Sequence, residues 1–165
     1  MSTDAIVLLK EDHQEVRKQV RAFRKEGLTP VQKQGVVDTI LELLTVHTYI
    51  ENEVMYPRVR ALLPDLEDDV LESYEEHHVA DVLVMELVGM KPDAERFTAK
   101  TTVLIENVRH HIDEEEQEWF PKVRVGLGRK VLQEMGADMI EAKKTAPRSP
   151  AQPSALKKTI DAVIA

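Results

Sequence analysis

Cysteine is absent from the 165 residues. The chain therefore has no disulfide, no thiolate metal site, no iron–sulfur cluster and no thiol nucleophile, and any metal must be held by nitrogen and oxygen. Long apolar runs are missing as well. None approaches the ~18 residues of a membrane span, and residues 1–10 alternate polar and apolar too quickly for a signal-peptide core. A cytoplasmic protein with no membrane contact is expected. Positive charge is in short supply, with 22 Lys+Arg against 30 Asp+Glu, a net charge of −8 and a pI near 5.3. That balance argues against nucleic acid, which needs a basic patch to coat its phosphates. Aromatic residues make up only 4%, but 42% of the chain is apolar, enough for the core of one soluble domain.

Glycine and proline are also sparse, and they gather between four long stretches whose apolar residues recur every three or four positions, the helical period. The first stretch aligns Ile6, Leu9, His13, Val16, Val20 and Phe23, follows the candidate caps Ser2, Thr3 and Asp4, and ends near Gly27. Thr29-Pro30 then offers a cap and a first-turn proline. The second aligns Val36, Ile40, Leu44, His47, Glu51 and Val54, with Pro57 predicted to end or kink it. The third opens near Pro64-Asp65, aligns Val70, Ser73, His77, Ala80, Val84 and Leu87, and stops near Gly89. The fourth aligns Phe97, Leu104, Val108, His111 and Glu115 before Pro121. Four amphipathic helices joined by short turns predict an all-α, up-down-up-down four-helix bundle over residues 1–125. An additional helix is expected over 126–145, then a proline-rich linker and short tail over 146–165. Residues 156–165 fit either a docking helix or a frayed end.

The chain also resembles itself. An offset of 64 residues superposes Glu11-Asp12-His13 on Glu75-Glu76-His77, His47-x-x-x-Glu51 on His111-x-x-x-Glu115, and Tyr56-Pro57 on Phe120-Pro121. The halves read as two copies of one helix pair. In a bundle, helices one and three would each turn one His inward, and helices two and four a His and a Glu. Residues four apart share a helical face, so both members of each His-x-x-x-Glu pair reach the same level of the core. Four imidazoles and two carboxylates suit iron, manganese or zinc better than calcium or magnesium, which prefer all-oxygen shells. Without a metal, such a core would leave several polar groups unsatisfied, at about 1–3 kcal/mol each.

The His47-x-x-x-Glu51 and Tyr56-Pro57 spacing, repeated as His111-x-x-x-Glu115 and Phe120-Pro121, resembles the haemerythrin-like HHE cation-binding domain over about residues 4–125. The resemblance implies an oxo- or hydroxo-bridged di-iron centre liganded by His13, His47, Glu51, His77, His111 and Glu115, with the two Glu as bridges. Oxygen-carrying relatives place a second His one turn before the third-helix ligand, where this chain has Ser73. The expected function is therefore action on, or sensing of, a small diatomic or peroxide ligand (O2, H2O2 or NO). Peroxide decomposition or gas/redox sensing is favoured over oxygen transport. The alternative is iron storage, or a metal-dependent sensor without turnover. A protein partner or a second copy would dock through the C-terminal extension. His78 and His110 point about 100° away from their neighbours and are set aside. Glu11, Asp12, Glu75 and Glu76 are read as a solvated face or, alternatively, as acceptors for imidazole N–H groups. The neighbours of Glu115 in the acidic run 113–116 are read as mostly wet. Tyr56, Trp119 and Phe120 are expected to close one end of the bundle.

Overall fold

The computed structural model describes residues 3–150; the predicted cap Ser2, the end of the proline-rich linker and the tail at 156–165 lie outside the described residues. Helix α1 (Ala5–Phe23) starts where the Asp4 carboxylate accepts the Val7 N–H at 3.1 Å, and Gly27 supplies the positive φ that turns the chain after it. Helix α2 (Pro30–Ile50) opens with a capping box, Thr29 and Gln32 each bonding the other's backbone N–H, and with Pro30 in the first turn. It runs through a π-turn, Glu51–Met55, into α3 (Tyr56–Leu62). Helix α4 (Glu67–Val88) begins with Glu67, Asp68 and Asp69, whose charges suit the positive end of the helix dipole. Helix α5 (Phe97–Glu114) passes through a second π-turn, Glu115–Trp119, into α6 (Phe120–Thr145).

The two π-turns fall at the same place in the 64-residue repeat, each opening on a site Glu and each followed by a proline. Of the two outcomes expected at Pro57, an end or a kink, the helix does not end there, nor does it end before Pro121: at both the chain stays helical through a distorted turn. The wider turn carries the Tyr56 and Phe120 N–H groups back five residues, to the Glu51 and Glu115 carbonyls. It thereby relieves the usual collision between a proline ring and the carbonyl four residues before it. The helical path breaks instead at Gly128 (φ 73°, ψ 172°), and the rest of α6 folds back across α1.

Contacts between the long helices fix an antiparallel bundle. Arg17 pairs with Asp113 and Arg24 with Glu106 between α1 and α5, and Lys100 pairs with Glu86 between α5 and α4. Two apolar clusters fill the interior. One gathers Ile6, Leu9, Ile50, Met55, Val59 and Val70 with Trp119 and Phe120, and is covered by Leu132, Met135 and Met139 of α6. The other gathers Val16, Ile40, Leu44, Val84, Leu87, Phe97, Leu104 and Val108. Between them lies a layer that is not apolar at all.

Candidate metal centre

Four helices supply that layer. His13 comes from the middle of α1, His47 and Glu51 from the end of α2, His77 from α4, and His111 and Glu115 from the end of α5. All six side chains belong to residues between 0 and 6% exposed. The imidazoles meet in pairs through Nε2: His13 to His47 at 3.2 Å and His77 to His111 at 3.0 Å. The carboxylates stand between the pairs. Glu51 Oε2 is 3.2 Å from both His47 Nε2 and His77 Nε2. Glu115 directs Oε2 to His13 Nε2 at 3.3 Å and Oε1 to His111 Nε2 at 3.6 Å. Each Glu thus spans both halves of the repeat.

The outer ring nitrogens explain why the inner ones converge. His13 Nδ1 meets Glu116 Oε1 at 2.8 Å, His77 Nδ1 meets Asn52 Oδ1 at 3.1 Å, and His111 Nδ1 meets Glu76 Oε2. His47 Nδ1 faces Asp12 at 3.6 Å. Acceptors on the outside keep the hydrogen on Nδ1 and turn the Nε2 lone pair inward. Lone pairs facing each other at 3.0–3.2 Å repel unless a proton or a metal cation sits among them. Ligands held about 2.0–2.2 Å from one ion lie roughly 3–3.5 Å from each other, the spacing seen here. Glu51 Oε1 and Glu115 Oε2 are moreover buried with no hydrogen-bond partner, a cost a cation would remove.

Electrostatics agree. Burial, and then the charge of Glu115, push the Glu51 carboxyl well above the ordinary range. Burial also opposes ionisation of Glu115, but His111, His13 and His47 hold it down to about 2. Burial and the neighbouring His111 push His77 well below its usual value, so its ring stays neutral. Two carboxylates so close share one negative charge until a cation lets both ionise.

The two sides of the layer differ. Phe120 stacks on His13 (5.8 Å between ring centres, 8° between planes), whereas its repeat partner Tyr56 lies against His77 and brings a hydroxyl. Tyr56 Oη is 3.1 Å from His77 Nε2, 3.2 Å from Glu115 Oε1 and 3.4 Å from Glu51 Oε2. Burial, Glu115 and Glu51 hold its pKa well above that of a free phenol, so it keeps its proton. One turn before the helix histidines, the fully buried Leu9 corresponds to Ser73, 64 residues later. Ser73 donates to the Asp69 carbonyl at 2.9 Å and lines an open cavity of about 80 Å³ whose inner wall includes His111 and Glu115.

All six residues singled out in the sequence come together. His78 is half-buried and His110 is exposed, both outside the layer. Glu11 and Glu75 are exposed, while Asp12 and Glu76 face imidazoles. Glu116 is not simply wet, since it joins His13 to Arg17 at 2.8 Å on each side. Sequence reasoning missed Asn52 and the inward hydroxyl of Tyr56. The repeat held the clue for the first, because Asn52 and Glu116 are 64 residues apart and each follows a site Glu.

Comparison with known proteins places this geometry among relatives. The family described as the Hemerythrin HHE cation binding domain matches residues 4–123. The crystal structure of a hemerythrin HHE cation binding domain-containing protein from Mycobacterium kansasii superposes with a TM-score of 0.70 at 20% identity, covering 94% of this chain and 98% of the other. A DNA nickase from Nostoc sp. is 29% identical over 114 residues, which are 69% of this chain and 32% of that protein. This chain thus spans about a third of the nickase's length.

Proposed function

The chain belongs to the hemerythrin HHE cation-binding family, and from that premise we propose that it holds two iron ions among His13, His47, Glu51, His77, His111 and Glu115. On this reading it acts on or senses a small ligand, O2, H2O2 or NO, and peroxide decomposition or gas/redox sensing comes ahead of oxygen transport. The observation that carries the proposal is the inequality of the two sides. Leu9 and Phe120 are buried apolar residues on the His13 side, while their repeat partners Ser73 and Tyr56 are polar, and Ser73 lines a cavity of about 80 Å³ that reaches His111 and Glu115. That is room for water or a small ligand and for little else.

Iron in this setting would supply a change of oxidation state and an open coordination position. The chain's own residues do the rest. Asn52, Glu76 and Glu116 orient three of the imidazoles, and Asp12 faces the fourth. Tyr56 holds a proton at Oη between Glu115 and His77, where it can donate to a ligand entering past Ser73. The apolar clusters on either side exclude bulk water from the layer.

The DNA nickase match does not bring nucleic acid into this reading, given the net charge of −8 and the share of that protein covered. Among the described residues no helix is long and apolar enough to cross a membrane. The test begins with elemental analysis of protein expressed with iron supplied. About two irons per chain are expected, with loss of metal but not of helical signal in His47→Ala and Glu51→Ala. Peroxide, oxygen and nitric oxide are then added in turn. Iron held without loss of peroxide or change in spectrum would point to storage instead. Full metal retention in both variants would overturn the ligand set.

A further inference from the structure

We propose that Glu76, His110 and Glu114 form an outer docking site for a first-row divalent cation, through which metal ions reach the central layer. The three side chains offer one imidazole and two carboxylates, with donor atoms all within 4.8 Å of one another. His110 Nε2 lies 3.4 Å from Glu114 Oε1 and 4.0 Å from Glu76 Oε1. Donors bound at about 2.0–2.2 Å around one tetrahedral ion are separated by roughly 3.4 Å, so small side-chain shifts close the shell. His110 and Glu114 are four apart on α5, the same spacing as the central pair His111 and Glu115, turned by one residue toward solvent.

A second observation ties the triad to a destination. Glu76 and Glu114 line the cavity of about 80 Å³ whose inner wall carries His111 and the buried Glu115, both of them potential donors of the central layer. Asp69, Glu72 and Glu118 line the same cavity, with Lys122 as its one cation, paired to Asp69 at 3.1 Å. The path from surface to centre is thus negative along its length, which raises the local concentration of cations. Glu76 joins the two sites: Oε2 accepts from His111 while Oε1 faces His110. A triad with only three protein donors, His110 exposed and both Glu partly so, would bind weakly and release its ion inward. The docking role rests on the central six residues binding metal; the outer binding itself does not.

The test uses the full chain with its centre filled with iron, titrated with Mn2+ and read by electron paramagnetic resonance. One additional weak site is expected. The double variant His110→Ala/Glu114→Gln, which leaves Glu76 on His111, should weaken it at least 10-fold with iron per chain unchanged. No additional site in the wild type, or equal binding in the variant, would overturn the outer site. Iron-free protein mixed with Fe2+ gives the second readout: the variant should fill at least 5-fold more slowly to the same final stoichiometry, and equal rates would overturn the docking role. If the centre took no iron at all, the wild-type and variant Mn2+ titrations would still decide the outer site, and only the central assignment would fail.

Discussion

Asn52 has no charge and no place on an apolar stripe, yet it orients one of the four imidazoles of the centre. Its Oδ1 is the acceptor for His77 Nδ1, and without it the ring is free to rotate or to move its hydrogen to Nε2. Asn52→Ala should therefore lose about 10–100-fold in metal affinity, the usual effect of removing a ligand's outer partner. Helical content should stay intact. Competition with a chelator measures this, and unchanged retention would show that packing alone orients His77. Glu116 does the same for His13, with Arg17 holding its carboxylate in place. Both residues could have been found by asking which positions recur at the 64-residue offset beside each site Glu, since the repeat preserves polarity there. Tyr56 was harder to see. The repeat pairs it with Phe120, and nothing in the residue types says whether an aromatic ring closes a bundle or turns a hydroxyl into it.

Helical periodicity made the four long helices legible, because their apolar residues must share one face to be buried. It said nothing of the π-turns, since one extra residue in a turn leaves no mark on a three-to-four spacing. Prolines that look like stops are carried through when the preceding turn is wide, as at Pro57 and Pro121. The true break at Gly128 lies where the backbone enters a region open almost only to glycine. Gly128→Ala should cost about 1–3 kcal/mol through that strain and lower the melting temperature by roughly 2–4 °C per kcal/mol. Gly136 tests a different contact of the same helix. A Cβ there would lie 1.6 Å from the Thr3 carbonyl oxygen, so the backbone of α6 and the start of α1 touch. Gly136→Ala should force them apart, exposing Met135 and Met139 and speeding protease cleavage near the N-terminus. Wild-type cleavage rates would mean that the chain before α1 gives way freely.

Taken whole, the molecule is two apolar clusters separated by a buried layer of four imidazoles and two carboxylates. The clusters account for the fold, but the layer opposes it. Glu51 is pushed toward its neutral form and Glu115 is held ionised by its histidines, so without a cation the layer keeps buried atoms unpaired. A bound ion makes ligands of those atoms and becomes part of the folding energy. At a free concentration 1,000 times its dissociation constant, one ion adds about 4 kcal/mol to stability. Stripping metal with a chelator should therefore lower the melting temperature markedly while most of the helical signal survives at 25 °C. Loosening should be local as well. Amide exchange should rise first in the two π-turns, which carry Glu51 and Glu115, and last in helix segments such as Ile40 to Leu44 that are packed in an apolar cluster. Equal exchange with and without metal would mean that the clusters alone hold the layer shut and that the ion is a passenger in the fold.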